Sequence, residues 1–139
     1  MASRSVVFDS NVWIALFHQN DSQHAKARKV FSVLNSQIII PEYIILEVCT
    51  VLAQRASKKY ANIFLERISD NDDVGILHFE ENHFYSFCDA YRRLPDGKLS
   101  FVDCALLCLS KEYEIITFDT ELKRVLNNDL SSTVGAKKK

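Results

Sequence analysis

The chain has 139 residues, 47% of them apolar and 25% charged, with a formal net charge of -1. These are the proportions of one ordinary globular domain, which excludes a disordered chain, a coiled coil and a strongly basic nucleic-acid coat. Three glycines and two prolines leave no GxGxxG or GxxxxGK[ST] phosphate loop.

In chain order, Ser5 to Phe8 is a compact apolar run that predicts a strand ending at Asp9. Asn11 to Phe17 predicts a short helix. Asp21 is placed as the N-cap of the next helix, with Ala27, Val30, Phe31 and Leu34 on one face. Ile38 to Ile40 predicts a second buried strand. Pro41 suits the first turn of a helix running from Glu42 to about Arg55. Ser57 to Ile68 is amphipathic, with Tyr60, Ile63, Phe64 and Ile68 as its stripe. Asp70 to Asp73 is a turn, Gly75 to Phe79 a third strand, and Glu80 to Arg93 a helix. Leu94-Pro-Asp-Gly97 breaks that helix. Ser100 caps an apolar helix to about Glu112. Glu114 to Phe118 is a fourth strand ended by Asp119, and Thr120 to Asn127 a last short helix.

This alternation of apolar strands and helices predicts a three-layer α/β/α sandwich around a parallel sheet of four to five strands. One domain is expected over residues 1–131, followed by a short basic tail, 132–139, that ends in Lys137, Lys138 and Lys139. Cys49, Cys88, Cys104 and Cys108 sit among apolar residues without a CxxC. They are expected to be reduced, buried thiols of a cytoplasmic protein. No apolar run reaches the roughly 18 residues of a membrane span, so no membrane association is expected. Asp9 interrupts the only apolar stretch near the start, so no signal peptide is expected.

Four carboxylates stand out. From Tyr43 to Ala53, nine of eleven residues are apolar and Glu47 is the only charge. From Phe101 to Leu109, eight of nine are apolar and Asp103 alone is charged. A buried carboxylate without a partner costs several kcal/mol or takes up a proton. Neither helix carries a basic residue at i±3 or i±4, so the expected cation must come from elsewhere, and a bound metal is the simplest source. Asp9 and Asp119 each end a strand, where parallel α/β sheets bind ligands. Each acid also has a plainer reading. Asp103 can complete a capping box with Ser100, Asp9 and Asp119 can cap helices, and Glu47 can reach the sheet edge or a distant base. Oxygen donors without Cys or His favour Mg²⁺ or Mn²⁺. Two such ions can activate water and stabilise a leaving oxygen in phosphodiester hydrolysis. Basic residues would have to ring such a pocket, and Lys26, Arg28 and Lys29, Arg92, Arg93 and Lys98, and Lys123 and Arg124 are among the candidates. His24, three after Asp21, reads as part of a helix start.

Val6-Val-Phe-Asp9-Ser-Asn11 resembles the opening motif of PIN domains. Pro41 to Glu47 resembles their second acidic motif, Leu99-Ser-Phe-Val-Asp103-Cys-Ala105 their third, and Ile116-Thr-Phe-Asp119 their fourth. The resemblance covers about residues 5–127 in the right order and is nearest to the short toxin nucleases of the VapC type. It implies a Mg²⁺- or Mn²⁺-dependent endoribonuclease with Asp9, Glu47, Asp103 and Asp119 around the metal. Asn11, Ser100 and Thr117 would form the supporting shell. It further implies a homodimer, an RNA substrate and a cognate antitoxin that blocks the acidic pocket. A PIN nuclease that processes RNA without being a toxin, and a non-catalytic protein-binding module, are the alternatives. A haloacid-dehalogenase-type phosphatase would want an acid where Asn11 stands.

Overall fold

Two core clusters on opposite faces of one sheet organise the chain. The structure, a computed structural model, describes residues 4–137, with side chains as far as residue 128. Strands β1 (Val6–Phe8), β2 (Ile38–Pro41), β3 (Val74–Leu77) and β4 (Glu114–Ile116) form a sheet in the order β3-β2-β1-β4. Every pairing is parallel, with Val6 opposite both Ile38 and Glu114. The expected α/β/α sandwich is therefore present, with four strands among the described residues.

Strand alternation explains the two faces. Val6, Phe8, Ile38 and Ile40 point to the first. There they meet α1 (Ser10–Phe17), α3 (Glu42–Arg55) and α4 (Lys58–Asp70), with α2 (His24–Ser32) outside. Val7, Ile39 and Ile115 point to the second face, under α5 (Glu81–Arg93), α6 (Phe101–Leu109) and α7 (Thr120–Lys137). Phe8 is fully buried and meets Trp13 edge-on at 5.3 Å. Each such side chain contributes about 1.5–3 kcal/mol of burial. Strands buried on both faces must be apolar throughout, which is why these runs read as continuous rather than alternating.

Several local expectations are corrected. Asp21 does not cap α2. Its Oδ1 accepts from the Gln23 N–H at 2.8 Å, closing a turn, and the helix starts at His24. His24 serves that start, with Nδ1 2.7 Å from the Ala15 carbonyl. β3 ends at Leu77 rather than Phe79, because the Glu42 carboxylate accepts the Phe79 N–H and contacts His78, drawing both from the ladder. α6 stops at Leu109, not Glu112. α7 continues to Lys137, well past Asn127, so the tail expected from residue 132 begins inside a helix. Lys138 and Lys139 lie outside the described residues. The four cysteines form no disulfide with one another, but only Cys104 is buried and the others are half-buried. No helix among the described residues is long and apolar enough to cross a membrane.

Candidate active site

The strand order fixes where a crevice must open. From β1 the chain moves out to β2 and β3, then returns to β4 on the other side of β1. The carboxyl ends of β1 and β4 therefore form the switch point at which open parallel sheets bind ligands. Asp9 follows β1 directly and Thr117 follows β4 directly.

Asp9 is 5% exposed. It caps α1 with Oδ1, which accepts from the Ser10 N–H at 2.8 Å. Oδ2 accepts the Thr117 hydroxyl at 2.7 Å and the Asn11 amide at 3.4 Å. Asn11 locks the corner further, since its Oδ1 accepts the Phe118 N–H at 3.1 Å. Its amide also reaches the Thr117 hydroxyl at 3.3 Å. Residues from the two ends of the chain thus hold one carboxylate in one orientation.

Burial pushes the Asp9 carboxyl above its ordinary value of 3.8. The hydrogen bonds from Thr117 and Ser10 oppose that rise, and the charges of Asp103 and Glu47 add to it. No basic group takes part in the shift. The carboxylates of Asp103 on α6 and Glu47 on α3 are therefore within electrostatic reach of Asp9.

Asp103 sits in the first turn of α6 and completes the capping box. Its Oδ2 accepts the Ser100 N–H at 2.9 Å, and its own N–H donates to Ser100 Oγ at 3.1 Å. The plainer reading of Asp103 is thus realised, and the box also orients the carboxylate that acts on Asp9. Glu47 departs from expectation. It is exposed, because α3 buries only the stripe Ile44, Val48 and Leu52. Its apolar neighbours in sequence do not surround it in space, and Leu46 beside it is 68% exposed. Glu47 is therefore solvated and needs no cation on account of burial, while its charge still reaches Asp9. Asp119 is exposed and caps α7. Its Oδ1 accepts the N–H groups of Glu121 at 2.9 Å and Leu122 at 3.1 Å. Its own N–H donates to Thr117 Oγ1 at 3.1 Å, and that hydroxyl is its link to Asp9.

Among the described residues, no group of three or more His, Cys, Asp or Glu side chains is gathered tightly enough to hold a metal ion. The donor chemistry nevertheless fits one. The acids around Asp9 offer oxygen only, the set that hard divalent cations prefer, and their mutual charge is uncompensated. Nothing in the local sequence pattern singles out Phe118, whose N–H anchors Asn11 and whose ring carries Lys26 at 4.7 Å. Only the register of β4 against β1 brings it there.

A parallel sheet between helical layers, with acids at its switch point, is an α/β architecture that places its ligand site at that point. The PIN domain family profile matches residues 6–127. The chain belongs to the PIN domain family. The Mycobacterium tuberculosis toxin VapC20, described as cleaving the sarcin-ricin loop, shares its fold with a TM-score of 0.77 at 18% identity. That match covers 86% of this chain and 94% of VapC20. A chain of the Rickettsia felis VapBC2 structure, bound to a DNA fragment from its promoter, gives a TM-score of 0.52 at 9% identity. It covers 83% of this chain and 99% of the other. No curated protein sequence matches the chain.

Proposed function

We propose that the protein is a metal-dependent endoribonuclease acting as the toxin of a toxin–antitoxin pair. The observation that carries this reading is the buried Asp9 carboxylate, raised by burial and by Asp103 and Glu47, with no basic group to balance it. Membership of the PIN family and the fold shared with VapC20, an RNA-cleaving toxin, support it.

In this reading Asp9, Glu47, Asp103 and Asp119 hold Mg²⁺ or Mn²⁺. When bound, such an ion would supply an activated water and charge stabilisation for the leaving oxygen of an RNA phosphodiester. The chain's own part is positioning. Thr117 and Asn11 fix Asp9 in one orientation, so its charge is aimed before substrate arrives. Ser100 does the same for Asp103. Glu47, exposed on α3, closes the site from the solvent side. Asp119 caps α7 through Oδ1, and its other carboxylate oxygen would be the one offered to the ion.

The fold likeness to a chain of VapBC2, which is bound to a DNA fragment from its promoter, supports a cognate antitoxin here. An arginine of that partner would pair bidentately with Asp9 and Asp103 where the metal would sit. A homodimer and a cytoplasmic place of action complete the proposal. The test is to sequence RNA ends after brief expression in cells, for wild type and for Asp9→Asn. Discrete new ends with wild type alone are the expected result. Identical ends from both would overturn the reading.

A further inference from the structure

Lys26 and Lys123 come from α2 and α7, far apart in the chain, and both lie against the Phe118–Asp119 segment, so that the charge of Lys26 acts on Lys123. Lys26 Nζ stands 4.7 Å above the Phe118 ring. Lys123 follows Asp119 by one helical turn, and its N–H donates to the Asp119 carbonyl at 3.0 Å. Among the described residues neither ammonium has a carboxylate within ion-pair distance. The nearby acids are engaged elsewhere. Glu121 pairs with Arg124 at 2.6 Å, Asp21 Oδ1 accepts from Gln23, and Asp119 Oδ1 accepts from α7.

Two like charges so placed are unfavourable unless an anion joins them. The pair is tied to the acidic crevice by a short path. Phe118 carries Lys26 on its ring and gives its N–H to Asn11, and Asn11 gives its amide to Asp9.

We propose that Lys26 and Lys123, seated on Phe118 beside the acidic crevice, form a clamp for a backbone phosphate of the RNA strand next to the one that is cut. This rests on the ribonuclease reading of the crevice and names where its substrate is held. The lysines are positioning residues: they neutralise a phosphate neighbouring the scissile one and counter the repulsion of the strand by the carboxylates. A phosphate contact carries no base information, so the clamp adds affinity for any sequence.

The experiment measures binding of a short single-stranded oligoribonucleotide in EDTA over a series of KCl concentrations. Cleavage plays no part in the signal. Releasing one clamped phosphate lowers the slope of log affinity against log salt by about 0.7 for a single strand. Lys26→Met with Lys123→Met should show that drop and a loss of about fivefold or more in affinity near 100 mM salt. The double arginine variant should keep the wild-type slope. Lys58→Met with Lys59→Met, two exposed lysines at the start of α4, should also leave it unchanged. An unaltered slope in the Lys26 and Lys123 variant, an equal drop in the Lys58 and Lys59 variant, or no binding by wild type overturns the clamp. Failure of wild type to cut RNA with Mn²⁺ is a separate readout and bears on the ribonuclease reading alone.

Discussion

Thr117 and Asp9, 108 positions apart, share a 2.7 Å hydrogen bond in which the hydroxyl donates to the buried carboxylate. It joins the end of β4 to the end of β1 at the sheet's switch point. It also limits how far burial can raise the Asp9 carboxyl. Thr117→Val keeps the shape but leaves Oδ2 with only the long Asn11 contact. The variant should lose about 1–3 kcal/mol in urea unfolding, the range for stranding a buried polar group. Thr117→Ser should stay within about 1 kcal/mol of wild type. RNA cleavage should fall with valine and survive with serine.

The Asp9 carboxyl binds its proton more tightly in the folded chain than in the unfolded one. Between the ordinary value of 3.8 and the raised folded value, the native state therefore holds more protons. Stability contributed by this group falls as pH rises through that window and is flat above it. Asp9→Asn removes the dependence. The stability of the variant minus that of wild type, measured without metal, should therefore rise with pH through the acid range and level off. A difference that falls with rising pH would show that the carboxylate is net-stabilised by its hydrogen bonds.

Ser100 and Asp103 form a reciprocal cap, so substitutions there mix a structural loss with any relief of charge. Ser100→Ala should cost about 1 kcal/mol of stability through the cap alone. RNA cleavage should survive it, because the Ser100 backbone N–H that holds the Asp103 carboxylate remains, whereas Asp103→Asn should lose cleavage in the site reading. Unchanged cleavage by Asp103→Asn would leave Asp103 a cap and nothing more.

A partner arginine in the crevice and a bound ion compete for the same carboxylates. Mn²⁺ should raise the unfolding midpoint of the free protein by mass action. The same concentration should leave the midpoint of an antitoxin complex unchanged. An equal rise in both would mean that the partner does not enter the crevice.

The sequence made much of this arrangement legible, for identifiable reasons. Glu42–Arg55 appeared with the boundaries expected, because Pro41 fixes its start and three apolar residues recur along one face. The Ser100–Asp103 box was visible because capping is local. The exposure of Glu47 was not, because a run of apolar letters does not say which of them a helix turns towards the core. Ile44, Val48 and Leu52 face inward, while Leu46 and Glu47 do not. The meeting of Lys26 with Phe118 and Lys123 depends on how α2 and α7 pack at the sheet's end, which no local pattern encodes. The orientation of Asp119 was open for a different reason: one carboxylate can cap a helix or face a ligand, and sequence permits both.

The central claim is that Asp9 and its neighbouring acids make this fold a metal-dependent ribonuclease. Its most direct test is RNA hydrolysis by purified protein titrated with Mn²⁺ after EDTA treatment, with wild type and Asp9→Asn side by side. The expected result is cleavage that appears with Mn²⁺ in wild type and is at least about a hundredfold slower in the variant, the scale of removing a preorganised charge from a reaction site. Equal cleavage by the two proteins, or cleavage by wild type that persists in EDTA, would contradict it.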